Sequence, residues 1–213
     1  MIRLEKENPL VSIITPCYNG ENVMHRLLDS ILSQTYSNIE FILINDGSTD
    51  HSEEIWYQYE KKFNEKGIKT IYIHQRNQGL GAAINAGLKV FTGDYLCWPD
   101  IDDYFEDTSV EKRVNFLETH KEYGSVSSDA NQYMEDNLSE PVGTMASWLK
   151  HKEDEWQFEW LLKGQSLFCP GCHMLRTTSF LDVNPDRYIY PARRGQNNQM
   201  LLPIYYKYKH GFI

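Results

Sequence analysis

Residues 39–48 read IEFILINDGS and form the segment that decides the fold. Residues 39–44 are nearly all apolar, which is typical of a central parallel strand that is covered on both faces. Asn45, Asp46 and Gly47 then end the apolar run in a polar turn. A strand of this kind is typical of α/β proteins, so the segment predicts a sheet flanked by helices.

The segments around this strand repeat a pattern of a short apolar run followed by a helical pattern. Such alternation indicates βαβ crossovers and therefore an α/β fold with a mostly parallel sheet. The predicted strands cover residues 11–15, 39–44, 70–74, 95–98, 125–128 and 172–176. The predicted helices cover residues 22–34, 49–65, 79–91, 109–120, 155–162 and 199–206, with Pro203 expected to kink the last one or to mark its first turn.

The length and composition of the chain favour one enzyme-like domain. The 213 residues suit a single domain, and a net charge of -9 argues against nucleic-acid binding because no basic surface is available for phosphates. No run approaches the roughly 18 apolar residues of a membrane span, and the first residues lack the apolar core of a signal peptide. We expect a cytoplasmic protein. The ending KYKHGFI (207–213) resembles the start of another element, so we also expect a fragment of a longer chain.

Two of the four cysteines form a C-x-x-C motif, Cys169-Pro-Gly-Cys172. This spacing suits a redox pair or half of a zinc site. A zinc site requires a second pair of ligands, and Cys17 and Cys97 lie far apart in the sequence. We therefore favour small buried side chains over a working dithiol or a zinc site.

Polar residues stand where three of the predicted strands end. The first strand leads into TPCYN (15–19), the second into NDGS (45–48) and the fourth into DIDD (100–103). Each segment also suits a purely structural role, as a turn, a tight loop or a helix N-terminus. Because ligands of open α/β sheets bind beyond the carboxyl ends of the strands, the three segments together predict a site for a nucleotide diphosphate with Mg²⁺ or Mn²⁺.

Four ordered segments resemble the family 2 glycosyltransferases, which have the GT-A fold. They are VSIITPCYNGE (11–21), SILSQTYSNIEFILINDGSTD (30–50), NQGLGAAINAGL (77–88) and DYLCWPDIDD (94–103). The resemblance covers residues 10 to about 120, and it implies a single GT-A catalytic domain over residues 1–213. Its donor-binding half would cover about 9–123 and its acceptor-side half about 124–213.

The resemblance also implies roles for individual residues of the donor site. The nucleotide pocket would be lined by Thr15, Pro16, Tyr18 and Asn19. Asp46 would contact the base, while Asn77 and Gly79 would form the floor beneath the ribose and diphosphate. A helix cap is an equally good interpretation of Asn77.

The acidic segment would bind the metal. By the same resemblance Asp102 would be the principal metal ligand, Asp100 would face the ribose or the metal, and Asp103 would contact the donor sugar. A D-x-D pair alone is a weak motif. Three nearby carboxylates are nevertheless costly unless a cation neutralises them, which favours the functional interpretation.

Two other nucleotide-binding classes fit less well. Gly79-Leu80-Gly81 imitates the start of a dinucleotide-binding fingerprint, but Ile84 stands at its third glycine and the segment follows the third strand. A sugar nucleotidyltransferase should carry a glycine-rich basic loop after the first strand, where this chain reads PCYNGENV (16–23). We therefore reject nicotinamide, flavin and nucleotidyltransferase chemistry.

The predicted function is the transfer of a sugar from a nucleotide-diphosphate donor, such as a UDP-sugar, to an acceptor hydroxyl with inversion. One departure from the family pattern concerns the catalytic base: a Glu-Asp pair common before the last helix aligns with Gln196 and Asn197. Amides cannot accept a proton at neutral pH, so these two residues can only orient the acceptor. His173 is the first candidate for a replacement base, although a histidine satisfied in the core is the favoured alternative.

The acceptor is expected to be a saccharide or a lipid-linked sugar, as in the synthesis of bacterial polysaccharides or glycolipids. Aromatic residues of the second half suit stacking on sugars, although core packing is the commoner explanation: Trp148, Trp156, Phe158, Trp160 and Phe168. The segment YYKYKH (205–210) would suit a peripheral contact with the inner face of the plasma membrane. The alternative function is a binding module that keeps the nucleotide-sugar pocket without turnover.

Overall fold

The computed structural model of the protein describes residues 8–167 and 169–213. The strands in these ranges are β1 (Val11–Cys17), β2 (Ile39–Asn45), β3 (Lys69–His74), β4 (Tyr95–Cys97), β5 (Tyr123–Ser127), β6 (Asn131–Gln132), β7 (Gly143–Thr144), β8 (His173–Arg176) and β9 (Lys209–Phe212). The helices are α1 (Met24–Leu32), α2 (Ser52–Glu65), α3 (Leu80–Val90), α4 (Ser109–Thr119), α5 (Phe158–Leu162), α6 (Thr177–Val183) and α7 (Gln196–Lys207). A single 3-10 turn, Pro170–Cys172, precedes β8.

Seven of these strands form one sheet in the order β3-β2-β1-β4-β8-β5-β9. The pairs β1–β2, β1–β4, β2–β3 and β5–β9 are parallel, while β8 runs antiparallel to both β4 and β5. This arrangement confirms the predicted α/β fold with a mostly parallel sheet. The sheet contains strands from both the first and the second half of the sequence.

Strands β1 and β2 are buried over their full length, and their side chains alternate between two cores. Phe41 and Leu43 of β2 belong to the core that contains α1, α2 and α4. Ile42 and Ile44 belong to the opposite core, which contains α3, α6 and α7. Because each face of the sheet is covered by helices, β2 is the continuous apolar strand that its sequence predicts.

One charged residue, Glu40, is the second residue of β2 and is fully buried. Its carboxylate accepts hydrogen bonds from Ser12 Oγ at 2.7 Å and from Thr92 N and Oγ1 at 2.8 and 2.9 Å, and it pairs with Lys69 Nζ. Burial by itself would raise the pKa of Glu40, but the hydrogen bonds from Lys69, Ser12 and Thr92 outweigh it and hold the pKa below its usual range. A buried carboxylate is thus kept ionised in the core.

The structure differs from the predicted elements mainly in the second half. Helix α7 begins three residues earlier than predicted, and Pro203 lies inside it instead of in its first turn. The short elements α6 and β9 were not predicted as a helix and a strand, because each has too few residues to show a period. Among the described residues, no helix combines the length and the apolar character needed to cross a bilayer.

Candidate functional site

The candidate site lies at the carboxyl ends of neighbouring parallel strands. Strands β3, β2, β1 and β4 are adjacent in the sheet and run in the same direction. The loops that follow them therefore share one edge, which is where α/β sheets bind their ligands. These four loops contain most of the residues predicted to bind the nucleotide and the metal.

The loop after β1 presents two of its four predicted nucleotide-binding residues. β1 extends to Cys17, so Thr15 and Pro16 lie within the strand and are buried. Thr15 Oγ1 has no hydrogen-bond partner among the described residues, and the contact of these two residues with a nucleotide stays a prediction. Tyr18 has 53% of its surface exposed, and Asn19 is also exposed. These two side chains remain available to a ligand.

Asn19 also joins the loop after β1 to the loop after β2. Its backbone N–H donates to Ser48 Oγ at 2.9 Å, and its side-chain oxygen accepts from Thr49 N at 2.8 Å. Its backbone has a positive φ of 52°, which asparagine tolerates better than most residues. The two loops are therefore held together as one rigid wall of the site.

Asp46 anchors the loop after β3. Its Oδ1 accepts hydrogen bonds from Gln75 Nε2 at 2.7 Å and Gln78 N at 3.0 Å, and its Oδ2 accepts one from Gly79 N at 2.8 Å. Asp46 is only 3% exposed. Its carboxylate is thus occupied by the loop, and its observed partners are loop donors, whereas the sequence predicted a contact with the base.

The segment that Asp46 holds contains Asn77 and Gly79, both of which are exposed. Gly47 allows this segment to approach closely, because a Cβ on Gly47 would lie 2.7 Å from Asn77 N and its φ is +73°. Gly79 ends the segment with φ 86° and precedes the first residue of α3. Asn77 makes no side-chain cap to that helix, so the structure does not support its interpretation as a helix cap.

The loop after β4 forms an acidic turn closed by a hydrogen bond from Asp103 N to Asp100 O at 3.2 Å. Burial, together with the charges of Asp103 and Asp102, raises the pKa of Asp100 to about 7. Burial and the charge of Asp102 raise the pKa of Asp103 to about 6. Asp103 Oδ2 is buried and has no hydrogen-bond partner among the described residues. Neighbouring buried carboxylates whose pKa values are raised are stabilised by a bound cation.

This turn offers the ligands that a hard divalent cation requires. Mg²⁺ and Mn²⁺ prefer oxygen ligands and are commonly held by one or two carboxylates and by the phosphates of a substrate. Within the described ranges, no group of three or more acidic, histidine or cysteine side chains is arranged to hold a metal by itself. The residues therefore fit a metal that is shared with a ligand, and they do not fit a closed protein site.

A polar pocket of about 560 Å³ opens beside the acidic turn. Asp102 and Asp103 line it, together with residues 128–133, 135 and 144–145 of the second half. Tyr104 and Tyr133 also face it, with ring centroids 6.0 Å apart. Among the predicted site residues, only Asp102 and Asp103 line this pocket.

The structure argues against His173 as a catalytic base. His173 is fully buried and stacks on Trp98, with ring centroids 6.0 Å apart. Burial, aided by the charge of Arg113, lowers the pKa of His173 to about 3, so the imidazole is a weak base at neutral pH. The favoured alternative, a histidine satisfied in the core, agrees with this burial but not with the hydrogen bonding, because Nδ1 and Nε2 are buried without a hydrogen-bond partner among the described residues.

The amides at the start of α7 lie near the acidic turn. Asn197 Oδ1 accepts a hydrogen bond from Trp98 Nε1 at 3.0 Å, and Trp98 is two residues before Asp100. Gln196 is buried and donates to Ala192 O. Asn197 is thus tied to the strand that leads into the turn, whereas Gln196 holds the preceding loop.

Three of the four cysteines are buried, as the interpretation as small buried side chains requires, while Cys169 is half-buried and lines the pocket together with Cys172. All four are free thiols. Burial raises the pKa of Cys97 to about 11 and also raises that of Cys17. The neighbouring Cys172 and burial raise the pKa of Cys169. Protonated, mutually hydrogen-bonded thiols are poor nucleophiles and poor metal ligands.

Two residues that line the pocket were not predicted from the sequence, Arg113 and Gly171. Arg113 is 1% exposed and donates from Nη1 to Gly171 O at 2.9 Å, which ties α4 to the turn before β8. Gly171 lies against Asp103, since a Cβ there would be 3.0 Å from Oδ2. A lone arginine within a helix gives no signal in one sequence.

Four of the second-half aromatic residues named from the sequence do not line the pocket: Trp148, Trp156, Phe158 and Trp160. Trp148 and Trp156 are more than half exposed, and Trp160 stacks on His151 with centroids 3.6 Å apart. Phe158 contacts Tyr206 edge to face. Phe168 lies outside the described residues.

The sheet order, the flanking helices and the loops at the strand ends define a GT-A type α/β protein. Comparison with known protein families identifies the family within this fold. The model of glycosyl transferase family 2 matches residues 12–183, and the chain belongs to this family.

Individual relatives match parts of the chain. An uncharacterized glycosyltransferase of Rickettsia prowazekii is 44% identical over 110 residues, which cover 52% of this chain and 32% of that protein. Glycosyltransferase GlyA of Streptococcus pneumoniae is 46% identical over 101 residues, which cover 47% of this chain and 14% of GlyA. The chain therefore matches under a third of the length of these curated relatives.

Solved structures share the fold at low sequence identity. TarS 1–349 of S. aureus superposes with a TM-score of 0.74 at 20% identity, covering 96% of this chain and 58% of TarS 1–349. TarS has also been crystallised with UDP-GlcNAc. The mannosyltransferase PcManGT of Pyrobaculum calidifontis, crystallised with GDP-Man and Mn²⁺, gives a TM-score of 0.66 at 15% identity and covers 98% of this chain and 55% of that protein.

Proposed function

We propose that this chain transfers a sugar from a nucleotide-diphosphate donor, a UDP-sugar in the first instance, to a hydroxyl of a saccharide or lipid-linked acceptor with inversion. The observation that carries the proposal is the acidic turn after β4. Two carboxyl groups with raised pKa values stand beside an exposed Asp102, and one buried oxygen of Asp103 lacks a partner. The turn opens into a polar pocket large enough for a sugar ring.

The donor would lie across the strand ends, with its base against the exposed ring of Tyr18. Asn77 and Gly79 would lie beneath the ribose and the diphosphate, on the segment that Asp46 anchors. Asp102, supported by Asp100, would hold Mg²⁺ or Mn²⁺. A bound cation would supply neutralisation of the charge that develops on the leaving diphosphate. The bound ligands of TarS and PcManGT, UDP-GlcNAc and GDP-Man with Mn²⁺, support a ligand of this class.

The acceptor would enter the pocket beside Asp103 and attack the anomeric carbon from the face opposite the diphosphate, which gives inversion. Asn197 and Gln196 do not line this pocket; they would act on the acceptor indirectly, through Trp98 and through the loop before α7. Neither amide can take the proton of the attacking hydroxyl. This missing base is the observation that favours a second candidate function, a nucleotide-sugar-binding module without turnover.

Calorimetry tests the donor and metal assignments. UDP is titrated into the protein with Mn²⁺ and, separately, with EDTA. We expect Mn²⁺ to strengthen UDP binding at least tenfold and Asp102→Ala to remove that gain. The melting temperature should not fall, because removing one of three neighbouring carboxylates relieves repulsion.

Glu106→Gln is the matched control, since Glu106 is an exposed acid that lines the same pocket outside the turn. It should keep the Mn²⁺ effect. Equal UDP affinity with Mn²⁺ and EDTA in the wild type would contradict the metal assignment. A large loss of stability in Asp102→Ala would make Asp102 a structural residue.

Turnover separates the transferase from the binding module. The protein with Mn²⁺ is incubated with UDP-glucose, UDP-GlcNAc, UDP-galactose and GDP-mannose, and nucleotide release is measured. A transferase should release nucleotide slowly from one donor by hydrolysis, even without acceptor. Tight UDP binding with no release from any donor would favour the binding module.

A further inference from the structure

The pocket is lined by an arginine, Arg26, whose side chain makes no hydrogen bond or ion pair with the described residues. Arg26 lies in α1, the helix after β1, and lines the pocket together with Asp102 and Asp103. The side chain is partly buried, and its Nε atom is buried without a hydrogen-bond partner among the described residues. Its charge still acts on Tyr104 across the pocket.

Arg113, the other arginine that lines the pocket, makes the side-chain hydrogen bonds that Arg26 lacks. It donates to Ser109 O at 3.2 Å, Gly171 O at 2.9 Å and His173 O at 3.3 Å. Arg26 makes no side-chain hydrogen bond or ion pair of this kind with the described part of the chain. Buried polar groups are normally satisfied, so a buried Nε–H without a partner, at the edge of a pocket, indicates a missing ligand.

Five carboxylates line the pocket, and within the described residues none forms an ion pair with Arg26: Asp102, Asp103, Glu106, Asp129 and Glu135. Asp129 accepts hydrogen bonds from Ala130 N, Ala146 N and Thr144 Oγ1, all at 2.8 Å, and thereby fixes the base of the β6–β7 hairpin. Asp102 and Asp103 belong to the acidic turn. A guanidinium presents a planar set of donors that matches a carboxylate or a phosphate.

We propose that Arg26 binds an oxyanion, the carboxylate or phosphate of an acidic saccharide acceptor, inside this pocket. Tyr104 and Tyr133 offer aromatic surface for the sugar ring next to the charge. This inference rests on the proposed function in one respect, namely that the pocket receives the acceptor.

The position of the pocket favours the acceptor over the phosphates of the donor. Tyr18, Asn77 and Gly79, the exposed candidates for nucleotide binding, do not line it. Residues 128–133, 135 and 144–145 of the second half do line it. An anionic group bound by Arg26 therefore belongs to the ligand that the second half of the chain contacts.

Binding of simple sugars tests the inference without turnover. Dissociation constants for D-glucuronate, glucose 6-phosphate and glucose are measured by NMR titration, without nucleotide, for the wild type, Arg26→Gln and Arg26→Lys. Arg193→Gln is the control, because Arg193 is an exposed arginine outside the pocket lining. UDP affinity with Mn²⁺ and the melting temperature are measured for each variant.

We expect the wild type to bind at least one acidic sugar tenfold or more tightly than glucose, as is usual for a hydrogen-bonded charge pair. Arg26→Gln should abolish that preference, Arg26→Lys should retain part of it, and Arg193→Gln should retain all of it. The two acidic probes distinguish a carboxylate from a phosphate. UDP affinity should be unchanged in Arg26→Gln.

Equal affinity for glucose and both acidic sugars in the wild type would overturn the inference. So would a loss of UDP affinity in Arg26→Gln, because Arg26 would then serve the donor diphosphate. If Arg26→Gln does not fold, Arg26→Lys decides, and an undiminished preference there would contradict recognition by the guanidinium fork. Sugar binding through Arg26 with no UDP binding would contradict the UDP-sugar donor of the proposed function and would leave the anion site at Arg26 standing.

Discussion

Replacing Asp46 tests whether its carboxylate anchors the loop before α3 or contacts the base of the donor. Asp46 accepts three hydrogen bonds, from Gln75 Nε2, Gln78 N and Gly79 N, at 2.7, 3.0 and 2.8 Å. Asp46→Ala removes all three. Asp46→Asn keeps an oxygen for the two bonds at Oδ1 and places an amide group opposite the N–H of Gly79.

The expected magnitudes follow from these contacts. A hydrogen bond to a charged group contributes about 1.5–3 kcal/mol. Gln78 and Gly79 lie at the surface, so water can replace part of what Asp46→Ala removes. We therefore expect Asp46→Ala to lower the free energy of unfolding by about 2–4 kcal/mol and Asp46→Asn by about 1–2 kcal/mol.

Urea denaturation of the protein without nucleotide gives these free energies, and calorimetry gives the UDP affinity of each variant. Asp186→Asn serves as a control, since Asp186 is exposed and lies in the loop before α7, away from these contacts. It should change the stability by less than about 0.5 kcal/mol.

The two interpretations of Asp46 predict different patterns. If Asp46 anchors the loop, stability falls first and UDP affinity falls with it, because the segment with Asn77 and Gly79 loses its position. Full stability in Asp46→Ala, combined with a loss of UDP affinity, would refute the anchoring role and restore the contact with the base.

Three further predictions concern the core and the acidic turn. Glu40→Gln should lower stability at pH 7 by about 2 kcal/mol. Because the folded pKa of Glu40 is lowered, its contribution is present above the unfolded value of about 4.3 and is lost as the pH falls through the folded value, so wild type and variant should converge in acid denaturation. Gly171→Ala should weaken Mn²⁺-dependent UDP binding several-fold in calorimetry, because the added Cβ would lie 3.0 Å from Asp103 Oδ2. Asn197→Asp should raise donor turnover if the amide occupies the position of a base; an unchanged rate would place the base elsewhere.

The first half of the fold was predictable because its elements are long and periodic. The apolar run of β2 and the helical spacing of α1 and α2 are visible in a single sequence, and the structure has all three. The second half is built from short elements, such as the two-residue strands β6 and β7, whose partners rather than their own residues determine them. The pattern of apolar and polar residues within a short segment does not predict which strand it pairs with.

The site was predictable in outline but not in its contacts. The acidic turn follows directly from the end of β4 in the sequence. The role of Asp46 depends on donors that lie about thirty residues away, and Pro16 is buried because β1 extends two residues beyond its predicted end at residue 15. Arg26 could not be recognised, since only the folded chain brings α1 beside residues 128–133.

The most direct test of the proposed site is a crystal structure of the protein with UDP and Mn²⁺, with the metal located by its anomalous scattering. We expect one Mn²⁺ peak about 2.1 Å from a carboxylate oxygen of Asp102, bridging to the diphosphate, with the uracil against Tyr18. An anomalous peak away from the acidic turn, or UDP bound away from the carboxyl ends of β1, β2 and β4, would contradict the account.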